Sequence, residues 1–201
     1  MIALIDYGIG NLRSVEKALA AVGAEVQLTS APEVIRAADK VVLPGVGAFG
    51  DGMAGLRQRG LEAVIETVLQ EGKALLGICL GMQLLFEVSY ELGEHRGLGL
   101  LPGEVRKFER GDLKVPQTGW NQVRAEKDSP LLSGLAPNSY AYFNHSYYCE
   151  PANREDILAS SEYGVRYAAV VGRGRLYGVQ FHPEKSQAVG LQILRNFVER
   201  G

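Results

Sequence analysis

Apolar positions along this chain fall into two alternating rhythms. Strand-sized segments rich in apolar residues stand at 2–7, 26–29, 40–43 and 74–78; the last is apolar throughout, which suits a strand covered on both faces. Between them, apolar residues return every three or four positions. Residues 12–22 place Val15, Leu19 and Val22 on one helical face, residues 33–38 fit a short helix or turn, and residues 56–69 carry Leu61, Val64, Ile65, Val68 and Leu69 at helical spacing. Asn11 stands where it can cap the first helix, and Gly23 and Gly72 stand where helices stop. Strands alternating with helices predict a mostly parallel sheet with right-handed crossovers and ligands at the strands' carboxyl ends.

Past Glu91 the rhythm changes. Loops rich in glycine (Gly97, Gly99, Gly103) separate β-prone runs at 104–108, 121–125 and 140–150, which predict antiparallel hairpins beside the parallel core. Further strands are expected at 157–159, 167–171 and 176–181. A helix over 187–198, with Val189, Leu191, Leu194 and Phe197 largely inward, closes the chain. The class is α/β, with no repeats, linker or low-complexity segment.

The chemistry concentrates where strand 74–78 ends. Cys79 follows the apolar run directly, Gly77 and Gly81 flank it, and Met82, Leu85 and Phe86 then recur at helical intervals. A strand-to-helix turn this abrupt holds its central residue in a strained conformation, the nucleophile-elbow arrangement with Cys in place of Ser. Helix N–H groups aimed at the sulfur favour thiolate. A free cysteine is also commonly just a small buried hydrophobe, and on the elbow alone the two readings stand level. Phe181-His182-Pro183-Glu184 changes that balance. His182 sits at a strand end, Glu184 lies two residues on, and Pro183 stiffens the pair. A thiol, an imidazole to take its proton and a carboxylate to orient the imidazole form a triad for acyl transfer. The chain has three histidines; His95 lies in a charged, loop-like stretch, and His145, with Tyr140, Tyr142, Tyr147 and Tyr148 expected around it, is the rival base. The turn Pro44-Gly45-Val46-Gly47 ends another parallel strand and could offer backbone N–H groups to an oxyanion, or be an ordinary strand-ending turn. Gly8-Ile9-Gly10 is too little for a dinucleotide loop, lacking a third glycine and a later acidic partner.

Composition narrows the setting. A chain of 201 residues with 46% hydrophobic and 22% charged residues suits one globular domain spanning 1–201. Its net charge of -2 gives no basic excess for nucleic acid or anionic membrane. The apolar runs are too short to span a bilayer, and the start lacks a basic leader, so Cys79 and Cys149 read as reduced thiols in a cytoplasmic protein.

Taken together, Gly77-Ile78-Cys79-Leu80-Gly81-Met82-Gln83, Phe181-His182-Pro183-Glu184 and Pro44-Gly45-Val46-Gly47 resemble the triad (class I) glutamine amidotransferases. Asp6-Tyr7-Gly8-Ile9-Gly10-Asn11, Gly119-Trp120-Asn121 and Lys185-Ser186 are similar, within that family, to the glutaminase subunits of imidazole glycerol phosphate synthase. The likeness runs over nearly the whole chain. It implies a three-layer, flavodoxin-like open sheet with flanking antiparallel strands, and hydrolysis of glutamine to glutamate and ammonia by Cys79, His182 and Glu184. Val46, Gly47 and Leu80 would form the oxyanion hole, with Gly47 also lining the glutamine pocket. Gln83, Glu91, Ser146 and Tyr147 would hold the substrate's amino-acid end, with Glu87 and Glu94 close enough to be mistaken for Glu91. No metal or cofactor is implied. Ammonia would be protonated and lost in water, so the resemblance implies a partner, a (β/α)-barrel cyclase subunit in a heterodimer, faced by Asn11, Trp120, Tyr142 and Lys185. Gly119 and Asn121 place Trp120 in a loop, which favours interface over core for the chain's single tryptophan. Gln117 and Asn144 depart from residues common in the family, at positions that bear on the interface rather than the triad. A different triad amidotransferase would share the catalytic residues but not Val46 and Lys185-Ser186; a non-catalytic elbow protein would not need His182-Pro183-Glu184.

Overall fold

In the computed structural model, which describes residues 1–109 and 113–201, the strand-sized apolar runs become the parallel half of one large sheet. The first half of the chain runs β1 (Ile2–Ile5), α1 (Leu12–Ala21), β2 (Val26–Thr29), α2 (Pro32–Ala37), β3 (Lys40–Leu43), α3 (Phe49–Gln58), α4 (Leu61–Gln70), β4 (Ala74–Ile78) and α5 (Leu80–Leu84). Each of β1 to β4 pairs in parallel with its neighbours. Alternate residues serve opposite faces. Ile2 and Leu4 join one core with Val15 and Leu19 of α1, whereas Ala3 and Ile5 join the other with Ile35, Leu56 and Ile65 of α2 to α4. β1 and β4 are buried throughout and show no polar alternation, whereas β2, at the sheet edge, is partly exposed and carries Gln27 and Thr29. Helices on both faces of the sheet give the three layers expected.

The second half adds β5 (Phe86–Ser89), β6 (His95–Arg96), β7 (Leu101–Lys107), β8 (Gln117–Gln122), β9 (Arg124–Ala125), β10 (Tyr140–His145), β11 (Tyr147–Pro151), β12 (Ile157–Glu162), β13 (Arg166–Arg173), β14 (Leu176–Val179) and α6 (Gln187–Arg200). The large sheet has the order β2-β1-β3-β4-β14-β13-β12-β9. β14 returns parallel beside β4, with Val179 opposite Ile78, while β13, β12 and β9 complete the sheet antiparallel. β10-β8 form a small ribbon, and β11-β7-β5-β6 form a separate four-stranded sheet. Helix α6 covers the same face as α1 with Ile193, Leu194 and Phe197.

Several local expectations give way to tertiary demands. Residues 56–69 are divided between two helices, because Gly60 turns left-handed at φ 65° between α3 and α4. The helix after Cys79 is a single turn, and Phe86 opens a strand instead of extending it. The carbonyls of Leu84, Leu85 and Phe86 accept from N–H groups of Leu98, Leu100 and Gly99, so they are committed sideways and cannot continue an α-helical ladder. Asn11 occupies the N-cap position of α1, yet its side chain makes no capping bond; its backbone carbonyl accepts from Ser14 and Val15. The run 140–150 divides at Ser146 between β10 and β11, which belong to different sheets. Trp120 lies on strand β8, not in a loop, and remains 49% exposed. Among the described residues, no helix is long and apolar enough to cross a membrane.

Candidate active site

Cys79 sits between β4 and α5 with φ 53° and ψ −109°, a region that β-carbon-bearing residues rarely occupy. The surrounding glycines are what allow the turn. A Cβ on Gly81 would fall 1.8 Å from the Leu43 carbonyl oxygen, and one on Gly77 would fall 2.6 Å from that of Gly81. β3, β4 and α5 therefore pack at a distance only glycine permits, and the Cys79 N–H donates to the Val179 carbonyl at 2.8 Å. That bond ties the elbow to β14, the strand that delivers the histidine.

Beyond β14, the alternation of an extended segment turns Gln180 and His182 to one side and Phe181 to the other, into the core against Phe143. His182 is 3% exposed, and its Nδ1 lies 2.9 Å from Glu184 Oε1. Burial pulls the imidazole pKa down, but hydrogen bonds with the Cys79 sulfur and Glu184 outweigh it and hold His182 well above the ordinary histidine range. The pair thus favours an imidazolium beside the sulfur. Ser186, to which sequence reasoning gave no role here, locks the turn. Its Oγ donates to the His182 carbonyl at 2.7 Å and accepts the Tyr142 N–H at 2.9 Å, fastening the His-Pro-Glu segment to β10.

A cleft of about 270 Å³ opens over the sulfur and is lined by Val46, Gly47, Cys79, Leu80, Gln83, Glu91, Ser146, Tyr147, His182 and Lys185, among others. Every residue expected to act on glutamine is there except Glu184, which backs His182. The size suits a small amino acid. Gln83 is buried rather than a solvated helix residue, and its Nε2 donates to the Tyr147 carbonyl (3.0 Å) and to Gln180 Oε1 (3.1 Å). Glu91 accepts the N–H of Phe49, the first residue of α3, at 2.7 Å. A carboxylate at that helix start is favourable, and it ties the Glu91 loop to the Pro44–Gly47 turn that precedes α3.

The Pro44–Gly47 turn, expected to face an oxyanion, has a definite resting orientation. The Leu80 N–H donates to the Gly45 carbonyl at 3.3 Å, so the donor at the elbow is already occupied and the Gly45–Val46 peptide shows its oxygen, not its N–H, to the site. Upstream, the buried Tyr7 hydroxyl donates to the Pro44 carbonyl at 2.6 Å and fixes the start of the turn. With one helical turn and its leading N–H engaged, α5 supplies less positive potential to the sulfur than the sequence suggested.

The rival histidine has a different task. Phe108, Phe143 and Tyr167 surround His145 with ring centroids 5.4, 5.7 and 5.5 Å away, in place of the tyrosine cluster expected. Its Nδ1 lies 2.7 Å from the Tyr147 carbonyl, which can only accept, so Nδ1 carries the proton. Nε2 is buried without a hydrogen-bond partner among the described residues. Burial, with the nearby His182 adding to it, pushes the His145 pKa down to about 4. A folded value below the unfolded one, near 6.5, means that the contribution to stability is complete above about pH 6.5 and is lost as pH falls towards 4. Its full size is about 3 kcal/mol. His182, shifted upward, is protonated in both states over most of that window and adds little slope. In His145→Gln, the fall in urea-unfolding free energy over that window is expected to be smaller than in the natural protein by about that amount; equal slopes would show that His145 titrates normally.

Of the four expected partner-facing residues, three come together. Trp120 and Tyr142 are opposite one another across β8 and β10, with rings 6.2 Å apart at 75°, and Lys185 Nζ lies 5.8 Å above the Tyr142 ring. Asn11 opens α1, which packs beside the Pro183–Lys185 turn.

A strained cysteine elbow, a buried histidine–glutamate pair and a small cleft over the sulfur form the arrangement expected of a triad amidotransferase site. Residues 3–200 match the family model for glutamine amidotransferase class-I, and the chain belongs to that family. Within it, the chain is 52% identical to imidazole glycerol phosphate synthase subunit HisH of Moorella thermoacetica over 198 residues, covering 98% of this chain and 94% of that one. It is 48% identical to subunit HisH of Wolinella succinogenes over 205 residues, covering all of both. In fold it is similar to a PurLQS structure from Thermotoga maritima, with a TM-score of 0.74 at 17% identity over 98% of this chain and 96% of that one.

Proposed function

We propose that this chain is the glutaminase subunit of an imidazole glycerol phosphate synthase, releasing ammonia from glutamine for a cyclase subunit in histidine biosynthesis. Full-length identity near 50% to HisH subunits carries the choice of pathway. The Cys79–His182–Glu184 arrangement supports the chemistry. Glutamine enters the cleft with its amino-acid end toward Gln83, Glu91, Ser146 and Tyr147. The Cys79 thiolate attacks the side-chain amide carbon, and the carbonyl oxygen takes up the negative charge. Imidazolium at His182 then gives its proton to the departing nitrogen, ammonia leaves, and a thioester remains on Cys79. Water attacks the thioester with His182 as base, glutamate departs, and the thiolate is regenerated. Glu184 holds the imidazole by Nδ1 throughout, so that Nε2 faces the sulfur.

Free ammonia has to cross to a second active site without meeting bulk water, and the exposed face formed by Trp120, Tyr142 and Lys185 beside the cleft suits a partner that caps it. Trp120→Ala is expected to weaken binding of the cyclase subunit by about 2 kcal/mol or more while leaving the chain's melting temperature nearly unchanged, measurable by calorimetric titration. The function itself is tested by purifying the tagged chain from its own cell extract. Recovery of a (β/α)-barrel cyclase, and glutamine-dependent formation of imidazole glycerol phosphate by the pair, is the expected result; recovery of a different synthase would refute the assignment.

A further inference from the structure

Behind the cleft runs a chain of hydrogen bonds whose direction is fixed at one end. The Tyr147 carbonyl can only accept, so the Gln83 carboxamide must present its nitrogen there, at 3.0 Å. The second N–H of the same nitrogen then points to Gln180 Oε1 at 3.1 Å. Gln180, fully buried, must therefore turn its oxygen to Gln83 and its nitrogen to Cys79 Sγ, 3.8 Å away. Flipping either amide would set two donors or two acceptors face to face. His145 Nδ1 donates to the same Tyr147 carbonyl at 2.7 Å and occupies its other side.

Gln180 is conspicuous on another ground. It follows β14, whose residues are apolar and buried, and a polar side chain there is costly unless both ends of its amide are used. Both ends are used, one on a cleft residue and one on the sulfur. Alternation along the strand puts it on the same side as His182, so the sulfur is approached by an imidazole and by a neutral amide donor. An N–H aimed at sulfur strengthens as the sulfur gains charge, so this contact favours the nucleophilic form over the thiol.

We propose that Gln180 is a positioning residue of the glutaminase reaction, holding the Cys79 sulfur by its side-chain N–H in an orientation imposed through Gln83 by the Tyr147 carbonyl. Gln83 also lines the cleft, so a ligand that polarises its amide strengthens the next bond along the chain, towards the nucleophile. The inference rests on Cys79 being the nucleophile.

The test is site-resolved alkylation of Cys79 by iodoacetamide as a function of pH, read by peptide mass spectrometry on the full chain. Gln180→Glu keeps the size and can still accept from Gln83, but sets a carboxylate against the sulfur; the alkylation midpoint is expected to rise by about 1–2 pH units. Gln180→Met keeps bulk without the donor and should raise it by less. In the complex with the cyclase subunit, both should lose more in kcat than in KM. A glutamine that served packing alone would leave the midpoint unchanged in variants that melt near the natural protein, and an unchanged midpoint in folded Gln180→Glu overturns the proposal. If neither Gln180 variant folds, Gln83→Met decides: freeing the Gln180 amide should raise the midpoint, and no rise overturns the proposal. Labelling of the natural chain, in its complex with the cyclase subunit, by a diazoketone analogue of glutamine separates the two levels. Failure to label Cys79 removes the nucleophile and this inference with it, whereas normal labelling with an unmoved midpoint removes only the role of Gln180.

Discussion

With Cys79 replaced by alanine, the pair formed with a cyclase subunit is expected to make no product from glutamine and to continue making it from ammonium salts. The thiol supplies the bond that splits amide hydrolysis into two easier steps, and among the described residues no other thiol lines the cleft. Loss of a nucleophile that acts as a unit with its base typically costs on the order of 10⁴–10⁶ in turnover. His182→Asn should behave in the same way, since the proton of the thiol and of the leaving nitrogen both pass through it. His145→Asn should still allow a glutamine-like electrophile to label Cys79, because His145 is spent on the Tyr147 carbonyl. Glutamine turnover persisting in Cys79→Ala would show the nucleophile to be misassigned.

The second large effect is expected in the natural chain on its own, which should be a very poor glutaminase. At rest the Gly45 carbonyl takes the Leu80 N–H, so a developing oxyanion would meet an oxygen and an engaged donor. Losing one oxyanion donor costs on the order of 10²–10³ in rate, roughly 3–4 kcal/mol. Rotating the Gly45–Val46 peptide would release Leu80 and turn the Val46 N–H inward. Gly45 and Gly47 leave room for that rotation, and Val46, unlike a proline, does not lock its φ. Val46 is 39% exposed at the mouth of the site, within reach of a docked partner. Partner binding, strengthened by the cyclase's own nucleotide, is expected to bias the peptide and raise turnover. Glutaminase rates for the chain alone, with partner, and with partner plus nucleotide should climb in that order. Equal rates in all three would exclude the switch.

How much of this was legible before any coordinates depended on whether a feature is local. Strands β1, β3 and β4 were readable because strands buried on both faces leave nearly unbroken apolar runs, and the elbow because Gly77 and Gly81 bracket a cysteine at the end of one. His182 and Glu184 were readable as a pair from their spacing, although the extended segment expected to join them is a 3-10 turn over Pro183–Lys185 that brings the carboxylate back to the imidazole. The strand at Phe86 was hidden, because its spacing from Met82 is helical and only the distant Leu98–Leu100 segment redirects the carbonyls. Trp120 was misjudged for a similar reason: neighbouring Gly119 and Asn121 suggest a loop, and pairing with β10 makes a strand. Ser186 and Gln180 left fainter signals. A glutamine at the end of an apolar strand was the visible anomaly, but its meaning required knowing that β14 returns beside β4.

That return has a consequence for the order in which the protein becomes reactive during synthesis. β1 to β4 and the cysteine are made in the first eighty residues, and these strands can pair as they emerge. β14 must then slot between β4 and β13, nearly a hundred residues later, before His182 reaches the sulfur. A nascent chain therefore carries its thiol without a base for most of its translation. Ammonia is released only once the sheet has closed, when the aromatic face that would receive a partner has also been made.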